Sequence, residues 1–189
     1  MKKALSLLLA LVLLCSAFAF ASASEEINEY GFPVRETYEK DPEYIAGMRA
    51  FDKKDYGSAI YHFRKSAQAG YAYGQYEYAN CIENEWGAKR DNRLVFEYYF
   101  YSAMQGHSLG QAALGRCYMW GRGTERDYDM AFHYFNLSAE QGDALGQLWL
   151  GYAYQNGIGT EKDREQARYY YRLSADQGNK SAEKRLQSL

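Results

Sequence analysis

The chain has 189 residues, of which 24% are charged, and its 22 lysines and arginines stand against 24 aspartates and glutamates, a formal charge of −2. Nucleic-acid binding depends on clustered basic residues, so this balance argues against a nucleic-acid partner. Aromatic residues make up 17% of the chain and include 20 tyrosines. Tyrosine suits both packed helix seams and binding surfaces, and we expect most of these tyrosines to lie in seams.

The first 23 residues have the pattern of a secretory signal peptide. Met1-Lys2-Lys3 is a short basic start, residues 4–20 are almost entirely apolar, and the small residues at 21–23 fit an A-x-A cleavage site. We expect cleavage after Ala23, with Ala21 as the alternative, which predicts a periplasmic or secreted protein without membrane insertion. Loss of the two lysines changes the formal charge from −2 to about −4.

One short motif recurs at a fixed distance along the chain. Gly70, Gly106, Gly142 and Gly178 each end an Ala-x-x-Gly phrase, and they are 36 residues apart. A strict period of this length is typical of stacked helical hairpins. It defines three units, which are residues 71–106, 107–142 and 143–178. Residues 24–40 carry no such repeat, and we predict that they form an N-terminal arm.

Each unit has the pattern of two helices, called helix A and helix B, joined by a glycine-rich loop. In the unit 107–142, the residues at 111, 114, 115 and 118 follow the i, i+3, i+4 spacing of an amphipathic helix A. Gly121 and its equivalent Gly157 suit the end of that helix. An aspartate recurs before each helix B and predicts an N-cap, at Asp91, Asp127 and Asp163.

These columns resemble the Sel-like repeat (SLR), a relative of the tetratricopeptide repeat. The residues that carry the resemblance are Leu114-Gly115-x-x-Tyr118-x-x-Gly121-x-Gly123 and Asp127-x-x-x-Ala131-x-x-Tyr134-Phe135-x-x-Ser138-Ala139-x-Gln141-Gly142, and the frame recurs 36 residues on. Residues 41–70 resemble a tetratricopeptide motif with a shorter loop, and residues 179–189 fit a polar capping helix. The resemblance implies an all-α, right-handed α-solenoid.

The resemblance also implies a function, that of a secreted bacterial interaction module or scaffold rather than an enzyme. In such stacks the A helices line a groove that binds a partner protein or peptide. The positions carried over are Tyr44, Met48, Phe51, Asp52, Tyr76, Asn80, Glu83, Asn84, Ala112, Arg116, Met119, Trp120, Leu148, Tyr152, Gln155 and Asn156. We expect Arg116, Met119, Trp120 and Tyr152 to contribute most. The strip lacks the basic density of a carboxylate clamp, so an extended peptide or the edge of a partner domain fits it better.

Two other classes of function stay open at this point. Ser181-x-x-Lys184 matches the Ser-x-x-Lys element of penicillin-recognising enzymes, so a cell-wall-related hydrolase is the alternative. The further elements of those enzymes, Ser-Asp-Asn and Lys-Thr-Gly, do not accompany it. Lengthwise self-assembly is the other, but polar residues around Lys184 and Arg185 disfavour it, and we expect a monomer.

The cysteines and histidines give no sign of a metal or cofactor site. Cys81 and Cys117 are 36 residues apart and therefore occupy equivalent places in adjacent units. Equivalent helices pack roughly 8–10 Å apart, further than a disulfide prefers, so burial as two small residues is the favoured interpretation. His62, His107 and His133 lie in three different units without metal-ligand spacing.

Overall fold

The computed structural model describes residues 40–189, which fold into nine α-helices without a strand in that range. The signal peptide predicted at 1–23 and the arm predicted at 24–40, apart from Lys40, lie outside the described residues. The helices are α1 (Pro42–Asp52), α2 (Tyr56–Gln68), α3 (Ala72–Glu83), α4 (Asn92–Met104), α5 (Ser108–Trp120), α6 (Tyr128–Glu140), α7 (Ala144–Asn156), α8 (Arg164–Asp176) and α9 (Lys180–Ser188). Within residues 40–189, none of them is long and apolar enough to cross a bilayer.

The helices pack as a chain of antiparallel hairpins. Each helix contacts the next one along the sequence, from α1 to α9. The odd-numbered helices up to α7 correspond to helix A of each unit, and the even-numbered ones to helix B. Helix A also contacts helix A of the following unit, at α3–α5 and at α5–α7. This arrangement confirms the predicted all-α solenoid.

Aspartate side chains begin the B helices as the sequence predicts. Asp91, Asp127 and Asp163 have extended backbone angles, and each side chain accepts a hydrogen bond from a backbone N–H in the first turn. The distance from Asp163 Oδ1 to the amide nitrogen of Gln166 is 2.9 Å. Such a cap satisfies a backbone donor that has no partner within the helix.

The glycine loops end two of the A helices. Gly121 and Gly157 adopt left-handed backbone angles, with φ of 67° and 73°, and their N–H groups donate to carbonyls of the last turn. Residues with a Cβ rarely adopt this conformation, which explains why glycine recurs there.

The seam between helix A and helix B is built from the same contacts in each unit. The hydroxyls of Ser102, Ser138 and Ser174 each donate to a backbone carbonyl at the start of helix A, at 2.6–2.8 Å. The same serine also contacts the next unit, since the glycine of that unit's Gly-Gln pair lies against it, and a methyl group on Gly146 would come within 2.3 Å of Ser138 Oγ. The glycine of the Gly-Gln pair is therefore a packing requirement of the junction between successive hairpins.

A pair of glutamines forms a second hydrogen-bonded contact in the seam of each unit. The side-chain amide that precedes the terminal glycine donates to the glutamine of the Gly-Gln pair at 2.7–2.8 Å. The three pairs are Gln105–Gln75, Gln141–Gln111 and Gln177–Gln147. Two recurring parts of the sequence motif thus meet in space and join the end of helix B to the start of helix A.

Aromatic side chains of the B helices fill the core against small residues of the A helices. Phe63, Tyr99, Phe135 and Tyr171 are fully buried. Gly115 faces the Phe135 ring so closely that a methyl group there would lie 2.6 Å from it. The small residue at this position therefore allows helix B to approach helix A closely.

The two cysteines are buried in the hydrophobic clusters of neighbouring hairpins. Cys81 and Cys117 are unbridged, and both thiols are almost inaccessible to solvent. Burial raises the pKa of each thiol to about 12. Both therefore act as small apolar residues, and neither has the thiolate character of a reactive cysteine.

Candidate functional site

An open cleft of about 510 Å³ lies where the C-terminal ends of α3 and α5 meet α7. The loops that follow α3 and α5 complete its walls. Its lining residues, called here the cleft, are Asn80, Glu83, Asn84, Trp86, Arg90, Arg116, Trp120, Arg122 and Trp149. The chain has three tryptophans, and all three line this cleft.

Glu83 is the centre of a hydrogen-bonded cluster in the cleft. Its Oε2 accepts from Arg116 Nη2 at 2.5 Å and from the Tyr99 hydroxyl at 2.8 Å, and its Oε1 accepts from Arg122 Nη1 at 2.8 Å. The Glu83 side chain is 8% exposed, whereas the arginine side chains are 23% and 34% exposed. One buried carboxylate therefore orients two guanidinium groups that remain accessible at the surface.

The protonation state of Glu83 follows from this cluster. Burial alone would raise the pKa of the carboxyl group, but the charge and hydrogen bond of Arg116, the Tyr99 hydroxyl and the charge of Arg122 together hold the pKa below its usual value. Glu83 is therefore ionised at neutral pH, with both oxygens occupied. Such a carboxylate positions other groups and is poorly suited to act as a general acid or base.

Two tryptophans form the apolar wall of the cleft. Trp120, at the end of α5, meets Trp149 of α7 edge to face, with ring centroids 5.3 Å apart. Trp149 is itself fixed by two further ring contacts, since it stacks on Phe135 and contacts Tyr152. Trp120 is 43% exposed, and the guanidinium of Arg122 lies 4.5 Å from its ring centroid. The result is an exposed tryptophan in a fixed orientation beside positive charge.

The third tryptophan joins the cleft to the first hairpin. Trp86, in the loop after α3, stacks on Tyr56 at 5.8 Å and contacts Phe51 edge to face at 5.0 Å. These contacts hold the loop against α1 and α2. Arg90, further along the same loop, is exposed, and its Nε donates to Asn92 Oδ1 at 2.9 Å.

The structure brings five of the residues carried over by resemblance into one place. Asn80, Glu83, Asn84, Arg116 and Trp120 all line the cleft. They come from α3, the residue after it, and α5, so two neighbouring A helices supply them.

Other carried-over residues lie along the same helices outside the cleft. Tyr152 contacts Trp149 and carries the guanidinium of Arg185 over its ring at 4.6 Å. Gln155 accepts a hydrogen bond from the Tyr171 hydroxyl, and Asn156 donates to the Tyr152 carbonyl. Tyr44, Met48 and Phe51 pack in the first hairpin, and Tyr76 packs against Tyr99 and His107. Asp52 is exposed at the end of α1.

The outward placement expected for three positions is wrong. Met119 is 3% exposed and Leu148 is 6% exposed, and both belong to hydrophobic core clusters. Ala112 is also buried. Met119 belongs to the cluster that contains Phe135, which has no hydroxyl for a polar residue to bind. Ala112 and Leu148 are the fifth residues of their A helices, and Leu148 belongs to the same cluster as Tyr171 and Ala182 of the following helices.

Sequence reasoning missed four residues of the cleft. Trp86, Arg90 and Arg122 lie in loops, and only positions on helix A were carried over. Trp149 lies on helix A, but at a position one residue away from the expected column. The presence of all three tryptophans on or just after the A helices was the available signal, because tryptophan and arginine often dominate binding energy.

The residues considered for catalysis lie elsewhere. Ser181 and Lys184 are both exposed on α9, and Ser181 lies in its first turn. His107 is buried between Tyr73 and Tyr76, and its Nδ1 lies 2.9 Å from Ser102 Oγ. Burial lowers the pKa of His107 to about 4. Within residues 40–189, no group of three or more His, Cys, Asp or Glu side chains is placed to hold a metal ion.

A comparison with protein families identifies the repeat. The Sel1 repeat family matches four segments in succession, which are residues 49–71, 72–107, 108–143 and 144–179. The chain belongs to the Sel1 repeat family. Proteins with Sel1 repeats are typically protein–protein interaction modules. No curated protein matches the chain significantly.

Solved structures with the same architecture support this assignment. A Sel1 repeat protein from Oxalobacter formigenes is 26% identical with a TM-score of 0.70, over 76% of this chain and 59% of that protein. The c5321 protein, a protective antigen of uropathogenic Escherichia coli with an SLR fold, is 28% identical with a TM-score of 0.50, over 76% and 39%. Cysteine rich protein B (hcpB) of Helicobacter pylori, 24% identical with a TM-score of 0.52 over 69% and 93%, shows the fold alone.

Proposed function

We propose that this protein is an exported interaction module that binds a partner protein or peptide through the cleft. The observation that carries the proposal is the exposed Trp120, which Trp149 and Arg122 hold in one orientation in an open cleft. An aromatic anchor that is already ordered loses little conformational entropy on binding. The mature module begins at Ser24 if the predicted signal peptide is removed.

The distribution of polar groups supports binding over hydrolysis. The one carboxylate among the lining residues, Glu83, is shared by two arginines and a tyrosine hydroxyl. A pair of catalytic carboxylates, or a nucleophile within hydrogen-bond reach of a base, would be needed for hydrolysis. The cleft instead combines amide side chains with aromatic rings and arginines, and the aromatic and arginine residues are types enriched in protein interfaces.

Site-specific photo-crosslinking tests the proposal directly. A benzophenone amino acid replaces Trp120 in one variant and Tyr169 in a control variant, since Tyr169 is 55% exposed on helix α8 outside the cleft. Both variants are produced in the native cell, irradiated, and analysed by mass spectrometry. We expect one protein to be crosslinked from position 120 and not from position 169.

Competition makes the result specific to the cleft. Added wild-type protein should suppress the crosslink at position 120, and added Trp120→Ala protein should not. Equal crosslinking of the same protein from both positions would contradict the assignment of the cleft. Crosslinking from position 169 alone would move the binding surface to the B helices.

Export is tested separately. Cell fractionation and N-terminal sequencing should place the protein outside the cytoplasm with Ser24 at its start. A protein that keeps Met1 and stays in the cytoplasm would contradict export, while the binding assay would still stand.

A further inference from the structure

The geometry points to an acidic peptide segment as the occupant of the cleft, with a glutamate or aspartate bound by the arginines beside an apolar residue on Trp120. This inference rests on the proposed function, since it names the chemistry of the partner. It concerns carboxylate side chains within an extended segment.

The charge of the cleft is opposite to that of the chain. Arg90, Arg116 and Arg122 line it together with one acidic residue, Glu83, which gives the lining a formal charge of +2. The chain as a whole carries −2. Arg90 and Arg122 come from loops, so the helix positions alone do not reveal this concentration of positive charge. Complementary charge favours an acidic partner and accelerates its association.

The arginines keep donors for a second carboxylate. A guanidinium group has five N–H donors in a planar fork. Arg116 and Arg122 each give one hydrogen bond to Glu83, through Nη2 and Nη1 respectively. Their side chains are 23% and 34% exposed, so the remaining donors can be reached from the cleft. Arginine binds carboxylates in a bidentate geometry that is stronger than a neutral hydrogen bond.

Glu83 acts as a positioning residue in this scheme. Two arginines within reach of the same anion would repel each other and move apart if no fixed carboxylate lay between them. The buried Glu83, itself held by the Tyr99 hydroxyl, fixes both guanidinium groups in place. Glu83 compensates one of the three positive charges of the cleft. The remaining charge of +2 suits a peptide that brings one or two carboxylate side chains into the cleft.

Trp120 sets the second feature of the ligand. Its ring is 43% exposed, and the Arg122 guanidinium lies 4.5 Å from the ring centroid. An apolar side chain can therefore contact the tryptophan while the neighbouring carboxylate meets the arginine. An extended segment presents residues i and i+2 to the same site, so the expected segment carries an acidic residue two positions away from an apolar residue.

Intrinsic fluorescence measures occupancy of the cleft without a label, because all three tryptophans of the chain line it. The purified protein is titrated with a blocked heptapeptide that contains the segment Glu-Ser-Leu-Ser-Glu and no tyrosine or tryptophan, so that both glutamates and the leucine share one face when it is extended. The control peptide has glutamine in place of both glutamates. We expect the glutamate peptide to bind about tenfold more tightly, since a charged hydrogen bond is stronger than a neutral one.

Protein variants connect this preference to the arginines. Arg122→Gln and Arg90→Gln should each reduce the preference severalfold, while Arg172→Gln, at an exposed position on α8, should leave it unchanged. High salt should reduce the preference as well, because the arginines are partly exposed. Thermal melting of each variant verifies that it is folded.

Three results would overturn the inference. The first is equal affinity for the glutamate and glutamine peptides, which would leave a neutral peptide as the partner of the proposed module. The second is tighter binding of a phosphoserine version of the peptide or of an oligogalacturonate, which would assign the cleft to phosphate or to an acidic glycan. The third is no binding of the glutamate peptide at millimolar concentration. The crosslinking experiment at position 120 is independent of all three.

Discussion

The seam and the cleft differ in how their residues vary between units. The seam contacts recur from unit to unit, whereas the cleft residues change. In the seam, the serine and glutamine contacts are the same in three successive units, and the glycine–serine contact between hairpins recurs as well. In the cleft, equivalent positions differ from unit to unit, so Asn84, Trp120 and Asn156 occupy one column. The repeated contacts specify the hairpin, and the variable ones are free to specify a partner. This division is how a repeat protein combines one fold with one particular binding site.

The core column of Tyr99, Phe135 and Tyr171 contacts the column that contains the cleft residue Glu83. Tyr99 donates to Glu83, and Tyr171 donates to Gln155 in the same geometry two units later. In the unit between them, Phe135 stands in place of the tyrosine and Met119 in place of the acceptor. The residues change in pairs, because a buried hydroxyl needs a partner and a phenyl ring does not. The cleft thus depends on a core residue.

The largest effect is expected from disrupting the junction between two successive hairpins. Gly146→Ala places a methyl group 2.3 Å from Ser138 Oγ and 2.6 Å from the Ala139 amide nitrogen. We expect a loss of about 3 kcal/mol in the free energy of unfolding, measured by urea denaturation. Gly142→Ala is the matched control: its φ is positive but the space is open, so about 1 kcal/mol is expected. Equal losses in the two variants would contradict the role of the Gly-Ser contact.

Acid should weaken the seam through His107. Burial lowers the pKa of His107 from its ordinary value of 6.5 to about 4. Between these values the unfolded chain binds a proton that the folded chain does not, so stability falls as the pH drops from 6.5 to 4. The loss from this residue should approach about 3 kcal/mol.

The residue equivalent to His107 two repeats later is asparagine, which suggests the variant that tests this pH dependence. Asn179 lies in the column of His107 and caps α9 through its side chain. His107→Asn should remove most of the loss between pH 6.5 and 4 in denaturation measured across that range. His133→Asn, at an exposed position, should retain the loss. An unchanged pH profile in His107→Asn would show that another group is responsible.

A double-mutant cycle sharpens the comparison at the core column of Tyr99. Glu83→Met leaves the Tyr99 hydroxyl and two guanidinium groups without their shared acceptor, and we expect a loss of about 2 kcal/mol in stability. Adding Tyr99→Phe recreates the Met119–Phe135 pair of the next unit and should recover about 1 kcal/mol. Denaturation of the two single variants and the double variant measures the coupling. Strict additivity would show that the columns do not depend on each other.

The smallest effect on stability is expected in the cleft. Trp120→Ala removes an exposed ring, so the unfolding free energy should change by less than about 1 kcal/mol. Partner binding should fall at least about tenfold, because an ordered tryptophan is a typical hot spot. The two effects are separated by melting and binding assays on the same sample. A large loss of stability would show that Trp120 belongs to the core.

The sequence predicts those features that local rules determine. The 36-residue period predicts the hairpins, and the aspartates before each helix B are N-caps in the structure. Gly121 and Gly157 end their helices in the left-handed conformation, which the loop pattern predicts. These features depend on neighbouring residues and on a repeated pattern, so one sequence is enough to predict them.

The cleft depends on contacts that one unit does not contain. Met119 was expected at the surface, but it turns into the core of its hairpin. Arg122 reaches back from the loop after α5 to Glu83, 39 residues earlier. The alignment of the repeats shows which residues are equivalent. It does not predict which loop side chains contact the residues of helix A. The resemblance therefore names five residues that line the cleft, all from helix A or the residue after it, and it omits the residues that the loops contribute.

The most direct test measures affinity and stability together. The partner identified by crosslinking is titrated by calorimetry into the wild-type protein and into Trp120→Ala, and the thermal unfolding midpoint of each protein is recorded. A cleft that is separate from the repeated frame predicts a loss of affinity of at least about tenfold with an unchanged midpoint. Unchanged affinity in a folded Trp120→Ala protein would contradict the account.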